Sequence, residues 1–121
     1  MKVIIDLIED IRESIQNAET YTIAGMLLKE NPKNKKDLIY AGEASVDSFY
    51  IDKISKELIF TVEKESDALT IGELVKHLLI LDMDAMMYEV KLAVSEDHAP
   101  KELVGFGFNA TDGKYALFIM A

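Results

Sequence analysis

The sequence predicts a single α+β domain over residues 1–121, in which two helices pack on a mostly antiparallel sheet of about six strands. The chain has 121 residues and half of them are hydrophobic, which suits one domain with its own core. Two segments repeat apolar residues at helical spacing, and several shorter segments alternate apolar and polar residues. The alternation is typical of strands that bury one face.

The first helix is predicted over residues 3–17, because its apolar and charged residues fall on separate faces. The apolar face comprises Ile4, Leu7, Ile8, Ile11 and Ile15. The opposite face carries four carboxylates: Asp6, Glu9, Asp10 and Glu13. This division is typical of a helix that lies on a core and exposes its charged side.

Strands are predicted next at residues 21–30, 38–40, 46–52 and 57–63. A loop at 31–36 separates the first two, since Pro32 and two asparagines interrupt the pattern. In the last of these strands Leu58, Phe60 and Val62 alternate with polar residues, so we expect one buried face. The polar run at 63–67 is predicted to link two halves of the domain, 1–64 and 68–121.

The second helix is predicted to start after Thr70 and to end near Leu81. Thr70 and Glu73 have the spacing of a capping box, in which each side chain accepts a hydrogen bond from the other residue's backbone N–H. A strand at 87–94 follows. Residues 103–109 and 114–120 then form a predicted hairpin, with Asp112-Gly113 as its turn.

Both halves have the order helix, strand, strand, strand, which predicts two repeated αβββ units; chance similarity is the alternative. Asp6-Leu7-Ile8 matches Glu73-Leu74-Val75 in character, and Tyr21 matches Tyr88. The two matches have the same offset (73 − 6 = 67 and 88 − 21 = 67). A true repeat would relate the units by a pseudo-two-fold axis.

Residues 69–94 read LTIGELVKHLLILDMDAMMYEVKLAV. This segment resembles a helix–strand segment of small phage, prophage and bacterial proteins, whose usual form is Thr-Val-x-Glu-Leu-Ile and then Leu-x-Pro-Asp-Ala. Thr70, Glu73 and Leu74 match the helix start, whereas Met83 stands where proline is usual. The resemblance implies a small bacterial or phage-encoded α+β protein and implies no catalytic residue.

Charge and composition exclude several classes of protein. There are 13 Lys and Arg against 22 Asp and Glu, which gives a net charge of −9, and Arg12 is the only arginine. Direct nucleic-acid binding is not predicted, because phosphate and base contacts need clustered basic side chains. The absence of cysteine excludes disulfides and thiolate chemistry. We expect no signal peptide and no membrane helix, and we expect a cytoplasmic location.

No catalytic residue, cofactor or metal site is predicted. His77 lies within the second helix, and His98 lies in an acidic loop. Adjacent loop residues rarely converge on one ion, so a solvated turn is the preferred interpretation of the His98 loop. Gly105-Phe106-Gly107 lies in a strand rather than before a helix, which predicts a flat sheet face for a helix or a second chain.

Two further clusters have alternative interpretations. Met83, Met86 and Met87 are interpreted as core filling, with a subunit contact as the alternative. The lysines of residues 29–36 are interpreted as protection of a loop and a sheet edge, with an acidic or phosphate-bearing partner as the alternative.

We therefore expect a non-enzymatic protein–protein interaction module, of which a phage- or mobile-element-encoded inhibitor or immunity-type protein is one concrete form. Its carboxylates Asp6, Glu9, Asp10 and Glu13 would meet a basic protein partner. One alternative is a small-ligand-binding protein with a pocket between sheet and helices or between subunits, and another is an enzyme with a histidine base. A homodimer is expected, because the last strand would offer its edge to a second copy.

Overall fold

The computed structural model describes residues 1–13, 18–62, 67–95 and 99–120. Its two α-helices are α1 (Ile4–Glu13) and α2 (Ile71–Leu78), and two short 3-10 helices span Ala18–Thr20 and Met83–Met87. The strands are β1 (Thr22–Asn31), β2 (Asn34–Ser45), β3 (Ser48–Asp52), β4 (Glu57–Thr61), β5 (Glu89–Ala93), β6 (Lys101–Glu102), β7 (Gly105–Asn109) and β8 (Lys114–Met120). No helix among the described residues is long and apolar enough to cross a membrane.

The strands form two mixed sheets of four. The first sheet has the order β2-β1-β8-β7, and the second has the order β3-β4-β5-β6. In each sheet the two central strands are parallel and each edge strand is antiparallel to its neighbour. The α+β class is confirmed, but the arrangement differs from one sheet of about six strands.

The sequence predicts only residues 38–40 of β2. This strand has 12 residues and lies at a sheet edge, where most of its side chains are exposed on both faces. A strand without a buried face carries no alternation of apolar and polar residues, so its sequence resembles a loop. Strand β6 has no predicted counterpart; it has only two residues and is too short to leave a pattern.

Both helices present the predicted apolar faces to the core. Ile4 and Leu7 of α1 and Leu74 of α2 are completely buried. The predicted capping box is present: the Glu73 N–H donates to Thr70 Oγ1 (3.2 Å), and the Thr70 N–H donates to Glu73 Oε1 (3.4 Å). Helix α2 ends at Leu78, three residues before the predicted end, and Ile15 lies outside the described residues.

The core lies between the inner faces of the two sheets and the helices. Its buried side chains form one cluster: Ile4, Leu7, Ile23, Val46, Leu58, Phe60, Leu69, Ile71, Leu74, Leu78, Val90, Leu92, Leu103, Tyr115, Leu117 and Ile119. Burying each large aliphatic side chain contributes roughly 1.5–3 kcal/mol, so this cluster holds sheets and helices together.

The two halves of the chain have the same order of elements and the same cross-connections. The Ile4 N–H donates to the Tyr88 carbonyl (3.0 Å), and the Ile71 N–H donates to the Tyr21 carbonyl (2.9 Å). Both donors and both acceptors are 67 residues apart (71 − 4 and 88 − 21). The start of each helix is thus hydrogen-bonded to the residue just before the first strand of the other half, β5 for α1 and β1 for α2.

Candidate protein-interaction surfaces

The four carboxylates predicted on α1 do not form one uniform exposed surface. Asp6 Oδ2 accepts a hydrogen bond from the Val3 N–H (3.0 Å), which satisfies a backbone donor at the start of the helix. Asp10 Oδ2 accepts from the Tyr115 hydroxyl (2.7 Å). Both residues are half-buried, whereas Glu9 and Glu13 are exposed. Of the four, Glu9 and Glu13 therefore present exposed carboxylates to a partner.

The bond between Asp10 and Tyr115 connects α1 to the central strand β8. The Tyr115 side chain is completely buried, and its ring packs against Phe108 with ring centroids 4.6 Å apart. Burial raises the pKa of the Tyr115 hydroxyl far above its ordinary value, and the bond to the Asp10 carboxylate raises it further. Asp10 therefore makes an intramolecular hydrogen bond to a core side chain. The helical periodicity of α1 could not reveal this bond.

Four strongly exposed large apolar side chains lie between α2 and β5. Leu79, Ile80, Met83 and Met87 are 71, 79, 88 and 68% exposed, respectively. We call residues 79–87 the methionine segment. Core filling was the wrong interpretation for Met83 and Met87, although Met86 does pack against the core.

Charged side chains lie within the methionine segment and beside it. Asp82 and Asp84 are exposed within it, and they line a shallow concavity together with Ile80 and Lys53. Lys53 belongs to the β3–β4 turn, in which the neighbouring Ile54 is 97% exposed. The 3-10 helix of the segment also packs against α1. Apolar and mostly acidic side chains therefore share this part of the surface.

The first half has polar residues at the matching positions. The residues 67 positions before Leu79, Ile80 and Met87 are Arg12, Glu13 and Thr20 (79 − 67, 80 − 67 and 87 − 67). Arg12, Glu13 and Thr20 are exposed. Since both halves have the same element order, the fold does not require apolar residues here.

A second apolar surface lies on the side of the first sheet that faces away from the core; we call it the outer face. Ala24, Met26 and Ala116 form a buried apolar cluster there, and Phe118 packs against it. A hollow of about 390 Å³ opens above Gly107, where an added Cβ would meet no atom within 4 Å. Every residue lining the hollow belongs to this sheet or to its β7–β8 turn.

The corresponding side of the second sheet is charged. Glu57 and Lys91 form an ion pair on its central strands, and Glu89 lies 3.6 Å from Lys91. The hydrogen bond from the Lys91 ammonium lowers the pKa of the Glu57 carboxyl, and the same bond raises the pKa of Lys91. The outer face of the first sheet also carries an ion pair, between Lys114 of β8 and Glu43 of β2. Both sheets therefore combine charged and apolar side chains on their external faces.

The β1–β2 hairpin extends beyond the first sheet. Leu28 is the last β1 residue that pairs with β8, so residues 29–39 form a two-stranded arm. The arm carries the basic cluster of Lys29, Lys33, Lys35 and Lys36, all exposed. Near the base of the arm, the register puts Leu38 (49% exposed) and Tyr40 (59% exposed) on the same side of the sheet as Met26.

The edge expected for dimer formation is not available. Strand β8 lies between β1 and β7, so both of its edges are hydrogen-bonded. The C-terminal strand completes the parallel pair at the centre of the first sheet. A homodimer formed through this edge is excluded, and dimerisation through another surface stays a prediction.

A groove of about 490 Å³ lies between α2, the first 3-10 helix and Ile11 of α1. Its floor includes Ala18, Ile71 and Val75, and its rim includes Glu19 and Lys76. The groove is the described feature that corresponds best to the alternative of small-ligand binding, although it lies between helices rather than between sheet and helices.

The histidines do not come together in a described site. His77 is exposed, and its ring contacts Phe49 edge-on at 5.5 Å between centroids. His98 lies outside the described residues, as do its neighbours Glu96 and Asp97. Within the ranges that the structure describes, no group of three or more His, Asp or Glu side chains is arranged to hold a metal ion.

A scan of protein-family models and searches of curated proteins and of solved structures found no match to the chain.

Proposed function

We propose that this chain is a protein–protein interaction module that binds a basic partner through the methionine segment. The observation that carries the proposal is the exposure of Leu79, Ile80 and Met87 at positions where the other half of the fold has exposed polar residues, together with the exposure of Met83 between them. Methionine is adaptable and is common on surfaces that bind protein partners. An exposed apolar cluster rimmed by polar residues marks such surfaces in monomeric proteins.

Electrostatics favour a basic partner over an acidic one. The net charge is −9, and Asp82 and Asp84 lie within the segment itself. Glu9 and Glu13 extend the exposed negative charge along α1, which packs against the same 3-10 helix. Charges of this kind accelerate association and make it sensitive to salt, while the apolar contacts supply most of the affinity. An inhibitor or immunity-type protein is one concrete form of such a module.

Site-specific photo-crosslinking in host cells tests this function. A photoreactive phenylalanine replaces Met87 in one variant and Thr20, the matched position in the first half, in a second. We expect a discrete hetero-adduct from position 87 that is absent from position 20. Identical adduct patterns at both positions, or no discrete adduct at position 87, would overturn the proposal. An adduct of twice the chain mass of 13.6 kDa would instead assign the segment to self-association and also overturn it.

The alternative proposal is a small-ligand-binding protein that uses the groove between the helices. Its volume of about 490 Å³ lies within the range of small-molecule sites, and its floor is apolar with a few polar groups at the rim. Native mass spectrometry of the protein purified from its host tests this function. A bound small molecule that is lost in Val75→Lys would support it, and an unliganded mass would contradict it.

We further propose that the two halves derive from one repeated unit of a helix followed by four strands. Exchanging the halves converts β2-β1-β8-β7 into β6-β5-β4-β3, which is the order of the second sheet read backwards. Positive φ values also recur at matching turns, at Lys56 (59°) before β4 and at Gly113 (64°) before β8. This unit has one strand more than the αβββ unit that the sequence predicts.

A further inference from the structure

The methionine segment carries two thioethers that lie almost entirely in solvent. The chain has six methionines and no cysteine, so thioethers are its only sulfur groups. Met83 and Met87 are 88 and 68% exposed, whereas Met26 is 9% exposed and Met86 packs against the core. An oxidant in solution therefore reaches the sulfur atoms of Met83 and Met87, and no thiol of this chain competes for it.

We propose that Met83 and Met87 form a reversible oxidation site, and that hydrogen peroxide acting there releases the basic partner of the methionine segment. This inference rests on the proposed function, because it concerns the regulation of the same surface. In the reaction the thioether sulfur attacks one oxygen of the peroxide, so that a sulfur–oxygen bond forms and the oxygen–oxygen bond breaks. The other oxygen leaves as water, which takes up the proton of the transferred hydroxyl group. The sulfur loses two electrons, and the peroxide gains them.

The charge of the segment favours an uncharged oxidant. Asp82 and Asp84 precede and follow Met83 in the sequence, and both are exposed. The chain as a whole has a net charge of −9. These charges repel anionic oxidants, whereas hydrogen peroxide is neutral at physiological pH and approaches the segment freely.

Oxidation of Met83 and Met87 changes the binding surface and leaves the core intact. Each sulfoxide puts a strongly polar group where an apolar one was, and this group would have to give up its water inside an apolar contact. On the free chain both side chains are mostly in solvent, so the added oxygens are not buried. The same reaction at Met26 or Met86 would instead place a polar group within apolar packing. The accessible sulfur atoms are thus those of the proposed binding residues.

A time course of oxidation of the purified full chain tests the site without any partner. Samples treated with hydrogen peroxide are quenched, and peptide mass spectrometry measures the gain of one oxygen at each methionine. We expect Met83 and Met87 to be oxidised at least about tenfold faster than Met26, with the circular dichroism spectrum unchanged at that stage. Equal rates at Met83, Met87 and Met26, or loss of the fold as Met83 and Met87 react, would overturn the proposal.

A matched double variant, Met83→Leu with Met87→Leu, tests the release of the partner. It keeps two apolar side chains of similar volume and removes both reactive sulfur atoms. Wild type and the double variant are immobilised, treated with hydrogen peroxide, washed, and then exposed to untreated host lysate. We expect both untreated proteins to capture the same basic protein and the oxidised wild type to capture at least about tenfold less of it. The oxidised double variant should capture as much as before, although Met1, which is 81% exposed, is oxidised in both proteins.

The outcomes distinguish failure of this inference from failure of the proposed function. Treatment of oxidised wild type with methionine sulfoxide reductase should restore capture, and capture that stays lost would contradict a reversible site. If oxidised wild type captures as much of the basic protein as untreated wild type, or if the double variant loses it equally on oxidation, regulation by oxidation is wrong and the binding surface stands. If untreated wild type captures no basic protein, the proposed function fails, and its regulation fails with it.

Discussion

Gly25 and Leu92 occupy matching positions on the central strands of the two sheets, and they touch across the core. They are 67 residues apart (92 − 25), the offset that relates the helices. A Cβ on Gly25 would lie 2.6 Å from Leu92 Cδ2. Leu92 is completely buried, so it has little room to move away. Glycine at position 25 therefore allows the two sheets to approach each other at this point.

Gly25→Ala should lower the free energy of unfolding by about 1–3 kcal/mol, because the added methyl group overpacks the core. The double variant Gly25→Ala, Leu92→Ala should lose at least about 1 kcal/mol less unfolding free energy than the two single variants lose together. The reason is that Leu92→Ala makes the space that the added methyl group needs. Urea denaturation of the double-mutant cycle measures this coupling. Gly107→Ala, whose Cβ meets open space, is the control and should change stability by less than about 0.5 kcal/mol. Simple additivity would contradict the close contact.

Tyr115→Phe should cost about 1–3 kcal/mol at neutral pH, because it removes the hydroxyl that donates to the Asp10 carboxylate. Above pH 10, the unfolding free energy of Tyr115→Phe should also fall less steeply with pH than that of wild type. The pKa of Tyr115 is raised in the folded protein, so above pH 10 the unfolded chain loses a proton that the folded chain keeps. Wild type should then lose about 1.4 kcal/mol per pH unit more than Tyr115→Phe. Parallel curves of stability against pH would contradict a buried, protonated Tyr115; Tyr50→Phe serves as the exposed control.

Leu7→Ala and Leu74→Ala should destabilise the protein by similar amounts. Both side chains are completely buried on matching positions of α1 and α2 (74 − 7 = 67). Each substitution leaves a cavity that costs about 2–5 kcal/mol, and we expect the two values to agree within about 1 kcal/mol. Chemical denaturation measures both, with Leu79→Ala as the exposed control. A twofold or greater difference between them would count against equivalent environments in the two halves.

The sequence predicted well those elements whose pattern arises from one buried face. The amphipathic periods of α1 and α2 and the capping box of Thr70 and Glu73 located both helices, and the turn at Asp112-Gly113 located the β7–β8 hairpin. Only residues 38–40 of strand β2 were predicted as a strand, because both faces of β2 are largely exposed. The division into two sheets could not be found either, since it depends on which distant strands pair, as β1 does with β8.

The candidate surfaces were only partly predictable for a related reason. Helical periodicity separates the carboxylates of α1 from its apolar face, but it does not reveal that Tyr115, more than a hundred residues away, reaches Asp10. The methionines of residues 83–87 were visible as a cluster, yet composition alone could not distinguish core from surface. The informative signal was the apolar pair Leu79 and Ile80, which follows α2 where its buried stripe ends at Leu78.

The binding of a basic protein through the methionine segment is tested most directly by quantitative co-purification from host cells with matched variants. Met83→Ser combined with Met87→Ser changes two side chains that are 88 and 68% exposed, so the fold should be unaffected. Glu9→Ser combined with Glu13→Ser removes only exposed negative charge. We expect wild type to retain one stoichiometric basic partner, the methionine variant to lose it at any salt concentration, and the glutamate variant to retain it less well at low salt. Equal recovery of the same partner by wild type and the methionine variant would contradict the proposed function.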